Sequence, residues 1–215
     1  LSRDTRPYRS SAPDALGGKQ VGTGFLTSLP TRPIANAWPA EVTKTARLMT
    51  HTFRCFDQWL HGAVFYGPAK GAETAVVRAE ADELLSNITQ LIVFGLTGKR
   101  FIMGDFNQEP GALIQQQIWM RHGWQNAQHL AAETFNHLVT PTCKGATEAD
   151  QIWLSPEAVQ LLRGVWVTDD FMEHSTVAIN LQIPECQVYV QRWPRPAKAP
   201  WNDMSFDDWE PECSV

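Results

Sequence analysis

Arg100-Phe101-Ile102-Met103-Gly104-Asp105-Phe106-Asn107-Gln108-Glu109-Pro110 is the stretch whose reading decides the fold. Phe101, Ile102 and Met103 make a short apolar run of the kind that forms a buried strand. Gly104 lets the backbone turn sharply. Asp105 and Asn107 follow with a spacing of two, which points both to one side of an extended chain. A carboxylate acceptor and an amide donor thus leave the end of a core strand together. That pairing suits a site that moves a proton and holds an anionic oxygen. A strand followed by an Asx-type turn is the purely structural alternative for the same residues.

Around this stretch the sequence alternates between two periods. On its N-terminal side, 73–94 repeats apolar residues every three or four positions (Val77, Ala81, Leu84, Leu85, Ile88, Leu91, Ile92). Glu80, Asp82 and Glu83 take the other face, so an amphipathic helix is expected there. Before it, 47–56 and 59–66 alternate apolar and polar as a half-buried hairpin does, closed by Gly67-Pro68. Residues 21–29 read as a further strand, stopped by Pro30 and Pro33. Residues 1–20, polar and broken by proline and paired glycine, read as loop.

On the C-terminal side, Gly95 to Gly98 precede the central strand, 111–122 reads as a second helix, and 123–149 as loop-rich. A strand is expected at 149–154. After it come Ser155 as helix N-cap, Pro156 at the first helical position and a short helix stopped by Gly164. Strands at 165–167 and 175–183 follow, the last with Glu173 and His174 at its entrance. The remainder, 184–215, is rich in Pro and Trp and reads as a tail or linker. Hairpins with helices on their outer faces imply two sheets packed together.

Composition narrows the classes. At 215 residues the chain is one large domain with a tail. No run of eighteen or more apolar residues is present to span a membrane. The net charge of −5 speaks against broad affinity for nucleic acid through a basic surface. Yet 201–215 alone carries Asp203, Asp207, Asp208, Glu210 and Glu212 and no base, so the rest of the chain is balanced and a local positive groove is open to it. Cys55, Cys143, Cys186 and Cys213 are far apart without a Cys-x-x-Cys, which indicates neither a zinc site nor a disulfide framework and makes a reducing compartment the default. His51, His61, His122, His129 and His137 lack the ligand spacing of zinc enzymes and read as structural. Lys99, Arg100 and Arg121 read as a solvated face, and the nine Trp mostly as core.

Four signatures occur in order: Tyr66-Gly67-Pro68 at a strand end, Gly104-Asp105-Phe106-Asn107, Asp150-Gln151-Ile152-Trp153-Leu154-Ser155, and Glu173-His174 opening the last strand. Over 21–183 the chain thereby resembles the endonuclease/exonuclease/phosphatase superfamily, the deoxyribonuclease-like enzymes. It is similar, more narrowly, to endonuclease domains of non-LTR retrotransposons, whose linker the Trp193-Pro194-Arg195-Pro196 segment looks like. The resemblance implies an α/β fold: a four-layer αββα sandwich of two mostly antiparallel sheets, here missing its first strands. It also implies phosphodiester hydrolysis dependent on Mg²⁺ (or Mn²⁺), with DNA as the partner. The destination would be the nucleus if the chain is a retroelement product.

Carried over by motif, Asp105 orients or deprotonates the attacking water or serves the leaving oxygen. Asn107 and Tyr66 contact the phosphate, His174 stabilises charge on its non-bridging oxygens, and Asp150 fixes the His174 tautomer. The family's metal-binding Glu belongs to strands ahead of the matched region, where Asp4 is the nearest acid. Glu173, standing where the family has Asp, is the remaining metal candidate in this chain. The rival readings are a phosphatase of the same superfamily acting on a small or lipid phosphate, and an inactive remnant.

Overall fold

The computed structural model describes residues 6–9, 23–34, 38, 42, 45–55, 58–68, 74–143, 146–168, 174–183 and 186–189. Asp4, Glu173 and everything after Tyr189 lie outside them, and with them the acidic tail and its Trp-Pro segment. The strands are β1 (Arg6–Arg9), β2 (Gly24–Thr27), β3 (Thr31–Pro33), β4 (Leu48–Cys55), β5 (Gln58–Tyr66), β6 (Lys99–Asp105), β7 (Gln125–Asn126), β8 (Asp150–Leu154), β9 (Leu162–Thr168), β10 (Thr176–Ile183) and β11 (Cys186–Tyr189). The helices are α1 (Ala75–Ile88), α2 (Ile114–Arg121), α3 (Ala127–Phe135) and α4 (Pro156–Val159).

Six strands form the main sheet in the order β3-β4-β5-β6-β8-β7, and β11-β10-β9 form a second. All pairings are antiparallel except β5 with β6, the two strands that α1 connects. Alternation along the central strands sorts the core. Phe101, Ile152 and Leu154 face the second sheet with Leu162, Val165, Ile179 and Leu181. Ile102, Trp153, Ala63 and Phe65 face the helices with Leu85, Ile88 and Trp119. Because β6 and β8 are covered on both faces, they read as apolar runs rather than as an alternating pattern.

Several local features depart from the sequence expectations, each for a physical reason. Helix α1 does not run evenly to residue 94: from Thr89 to Phe94 it widens into a π-helical turn. Arg100 is buried, not part of a solvated face. Its guanidinium donates to the carbonyls of Ile92, Val93 and Leu96 at 3.2, 2.9 and 2.6 Å and to Glu157 at 3.0 Å. A cation thus ends the helix by taking the carbonyls that have no intrahelical partner.

Ser155 stands at the N-cap of α4, but its Oγ makes no cap; it accepts the Arg100 N–H instead (3.2 Å). Helix α4 ends at Val159, and Gly164 is inside β9 rather than at a helix end. Within the 123–149 stretch read as loop-rich, Asn126 caps the start of α3, its side chain accepting from the Gln128 and His129 N–H groups. It stops at Asn136 in the left-handed region (φ 52°). Arg6–Arg9 lies in the 1–20 stretch read as loop or an unanchored end, yet it pairs with β2 in a two-stranded sheet. Cys186–Tyr189, beyond the 183 boundary, returns as the edge of the second sheet.

Candidate active site

β6 ends at Asp105 between two neighbours in register: Tyr66 on the parallel strand β5 and Asp150 on the antiparallel strand β8. The backbone closes tightly there. Gly104 has φ +149°, and a Cβ on it would sit 1.7 Å from the Phe65 carbonyl oxygen. A Cβ on Gly67 would come within 2.4 Å of the Phe106 oxygen. Only glycine admits this approach of the two strand ends. The Gly67 N–H then donates to the Asp105 carbonyl (2.7 Å), holding the Tyr66 end of β5 against the Asp105 end of β6.

Asn107 turns the chain with φ +52°, a conformation asparagine tolerates better than most residues. Its N–H donates to Asp105 Oδ1 (2.9 Å), and its Nδ2 donates to the Gly67 carbonyl (3.2 Å). Arg47 also donates to the Gly67 carbonyl, at 2.8 Å, and to that of Tyr66 at 3.2 Å; its guanidinium lies over the Tyr66 ring, 5.4 Å from the centroid. Asp105, Asn107 and Tyr66 are thereby set into one rigid corner.

His174 enters from the second sheet, directly before β10. Its Nδ1 lies 2.8 Å from Asp150 Oδ2, so Nδ1–H donates to that carboxylate and the ring orientation is fixed. One donor atom each from Asp105, Asp150 and His174 falls within 4.8 Å of the others. Of the six residues singled out from sequence, Asp105, Asp150 and His174 come together, with Asn107 bonded to Asp105 and Tyr66 in register beside it. Glu173 is outside the described residues.

Two contributors went unread in the sequence. Thr142, 1% exposed, accepts the Asp150 N–H on its hydroxyl (2.8 Å) and the Ser175 N–H on its carbonyl (2.7 Å), joining the carboxylate to the start of β10. Cys143 bridges to His174 along the backbone, and its Sγ lies 3.7 Å from His174 Nε2. Both partnerships are remote in sequence and leave no local pattern. Thr142→Val takes the hydroxyl acceptor away from the partly buried Asp150 N–H. Chemical denaturation should show a loss of about 1–3 kcal/mol.

Electrostatics give the cluster its character. Burial, and then the facing Asp150 carboxylate, push the Asp105 carboxyl up to about 6, against the lowering pull of the Asn107 N–H, His174 and the Asn107 side chain. Two like charges directly across an antiparallel pair repel one another. Two carboxylate oxygens and one imidazole nitrogen are a donor set suited to a divalent cation such as Mg²⁺ or Mn²⁺. Asp105 and Asp150 are the residues that would hold it. Among the described residues no other such group of three occurs.

No protein-family model and no curated protein sequence matches the chain. Solved structures do. The endonuclease domain of TRAS1, a telomere-specific non-LTR retrotransposon, superposes with a TM-score of 0.58 at 14% identity, over 84% of this chain and 80% of that one. A 3′ phosphatase from Neisseria, bound to product DNA hairpin, gives 0.59 at 12% identity over 82% and 80%. An endonuclease/exonuclease/phosphatase family protein from Leptotrichia buccalis gives 0.58 at 13% identity over 85% and 73%. At these identities the likeness is one of architecture. The chain has the deoxyribonuclease-like fold of the endonuclease/exonuclease/phosphatase proteins.

Proposed function

We propose that the protein hydrolyses phosphodiester bonds with the help of a divalent cation, and that its substrate is DNA, as for an endonuclease of a retroelement-like protein. The observation that carries this reading is the convergence of Asp105, Asp150 and His174 within 4.8 Å at the end of a central strand. The solved neighbours, an endonuclease domain and a 3′ phosphatase bound to DNA, point the same way.

Hydrolysis needs an aligned water, compensation for charge on the phosphoryl oxygens and a neutralised leaving oxygen. Asp105, with its carboxyl raised to about 6, is ionised at neutral pH yet more basic than an ordinary carboxylate, the property required of a general base. His174, held through Nδ1 by Asp150, presents Nε2 to the phosphate; protonated, it donates from both nitrogens. Asn107 uses one amide N–H on Gly67 and has a second for a phosphoryl oxygen. Tyr66 adds its phenolic O–H from the adjacent strand. Asp105 and Asp150 would hold a divalent cation, which would supply positive charge against the developing charge on the phosphoryl oxygens.

Nicking of supercoiled plasmid in Mg²⁺, suppressed by EDTA and lost in a folded His174→Ala variant, is the expected result. A folded chain inert toward DNA, RNA and phosphomonoesters overturns the enzyme reading. Release of phosphate from monoesters without nicking would move the assignment to a phosphatase.

A further inference from the structure

The main sheet has a second chemically distinctive region, on the face turned toward α1 and at the opposite end of β5 from Tyr66. Trp59 is 40% exposed there, while Trp119, Trp124 and Trp153 are buried. Two guanidinium groups lie over its indole: Arg32 from β3, 4.6 Å from the ring centroid, and Arg54 from β4, at 5.7 Å. The register explains the grouping. Arg54 is paired across from Trp59, Arg32 across from Thr52, and Thr52 across from His61, so all project to one face.

β3, β4 and β5 contain neither Asp nor Glu, and the one acid of the β4–β5 connection, Asp57, lies outside the described residues. The adjoining strand β6 begins with Lys99, whose Nζ contacts Gln58 beside Trp59. The local field is positive enough to reach the next ring. Burial and then the charges of Arg100 and Arg32 lower the His61 imidazole below its usual range. The apolar cover of this sheet face ends at Ala63 and Phe65, which belong to the helix-side core.

We infer that the Arg32–Trp59–Arg54 face is a second docking surface for single-stranded nucleic acid, remote from the reacting phosphate. The inference rests on the nucleic-acid reading of the site. A base stacks on the flat indole or on a guanidinium plane lying over it, and the guanidinium N–H groups pair with the phosphates on either side. Charge complementarity selects a polyanion, and the exposed aromatic ring selects one that carries planar groups. Seven residues of extended strand separate Trp59 from Tyr66, about 23 Å at ~3.3 Å each, and the two lie on opposite faces of the sheet. A dinucleotide at the reacting site cannot touch Trp59, so the surface acts on long substrates only.

The test is fluorescence anisotropy of a labelled oligodeoxythymidylate of about twenty residues with the full chain in EDTA, where nothing is cleaved. Trp59→Ala should weaken binding about tenfold, and Trp59→Phe, which keeps a stacking ring, by much less. The double variant R32E/R54E should weaken it further and flatten the salt dependence by about 0.7 for each phosphate no longer neutralised. Hydrolysis of a small phosphodiester, bis(p-nitrophenyl) phosphate, should be unchanged in the double variant. Affinity within about twofold of the parent in both Trp59→Ala and R32E/R54E overturns the inference. A chain that binds through Trp59 but cleaves nothing keeps this surface and loses the enzyme. Cleavage with affinity indifferent to Trp59 does the reverse.

Discussion

Asp105→Asn will be more stable than the parent at neutral pH, and will have lost hydrolysis. The carboxyl sits near 6 in the folded protein because it is buried and faces Asp150, against 3.8 as the ordinary value. A native pKa above the unfolded one means that the folded state binds the proton more tightly. The stabilisation from that proton is therefore complete below about 4 and is lost as pH rises through about 6. At neutral pH the ionised pair is a standing penalty, bounded at ~3 kcal/mol for a shift of about two units. The amide keeps an oxygen for the Asn107 N–H and removes the charge facing Asp150.

Thermal melts in EDTA should place the variant several degrees above the parent at neutral pH, at about 2–4 °C per kcal/mol for a chain of this size. The gap should close as pH falls through 5 to 4. Added Mg²⁺ should raise the parent's melting temperature and barely move the variant's, because one of the two carboxylates is gone. Loss of a general base lowers the rate by about 10²–10⁴-fold. A variant less stable than the parent at neutral pH would show that the cluster is not strained by like charge.

The central strand and the order of its polar companions were legible because the signals there are local. An apolar triplet, a glycine and two polar residues at fixed spacing describe how β6 ends whatever surrounds it. The β4–β5 hairpin and α1 were legible for the same reason: period two against period three to four. What escaped was set by tertiary contacts. Helix α3 buries Ala127, Gln128 and Ala131, two small residues and a polar one, so its stripe carries little hydrophobic signal. Asn126 as N-cap and Asn136 as the left-handed stop were the available clues. Arg100 looked like half of a surface Lys-Arg pair, and only the folded chain supplies the three carbonyls that account for its burial.

The site shows the same division. Asp105 and Tyr66 lie at strand ends that pair with one another and Asn107 turns the chain just beyond, so strand-end motifs sufficed to put these residues in one place. Thr142 and Cys143 act across 8 and 31 residues of chain, on Asp150 and His174, and belong to no motif. The glycines were half legible. Gly104 announces a turn, but the reason it must be glycine is the Phe65 oxygen on the neighbouring strand.

Asp150→Asn separates two roles that one carboxylate performs. Toward His174 it is the acceptor 2.8 Å from Nδ1 that orients the ring. Toward Asp105 it is the like charge, second only to burial, that raises the carboxyl to about 6. Substitution by the neutral amide removes both influences. Without that carboxylate the His174 ring loses the acceptor that fixes its orientation, and activity should fall by about 10²–10⁴-fold, the range for an orienting carboxylate behind a catalytic imidazole. In the residual activity the acid limb of the pH–rate profile should move to lower pH, because Asp105 relaxes toward an ordinary carboxylate once its neighbour is uncharged. The two effects are measured independently, one in the height of the profile and the other in its position. Calorimetry can check the second without turnover: the steep loss of stability between about pH 4 and 6 should flatten in Asp150→Asn, as in Asp105→Asn. A profile lowered but not displaced would mean that Asp150 acts on His174 alone, and that burial by itself accounts for the raised Asp105 carboxyl.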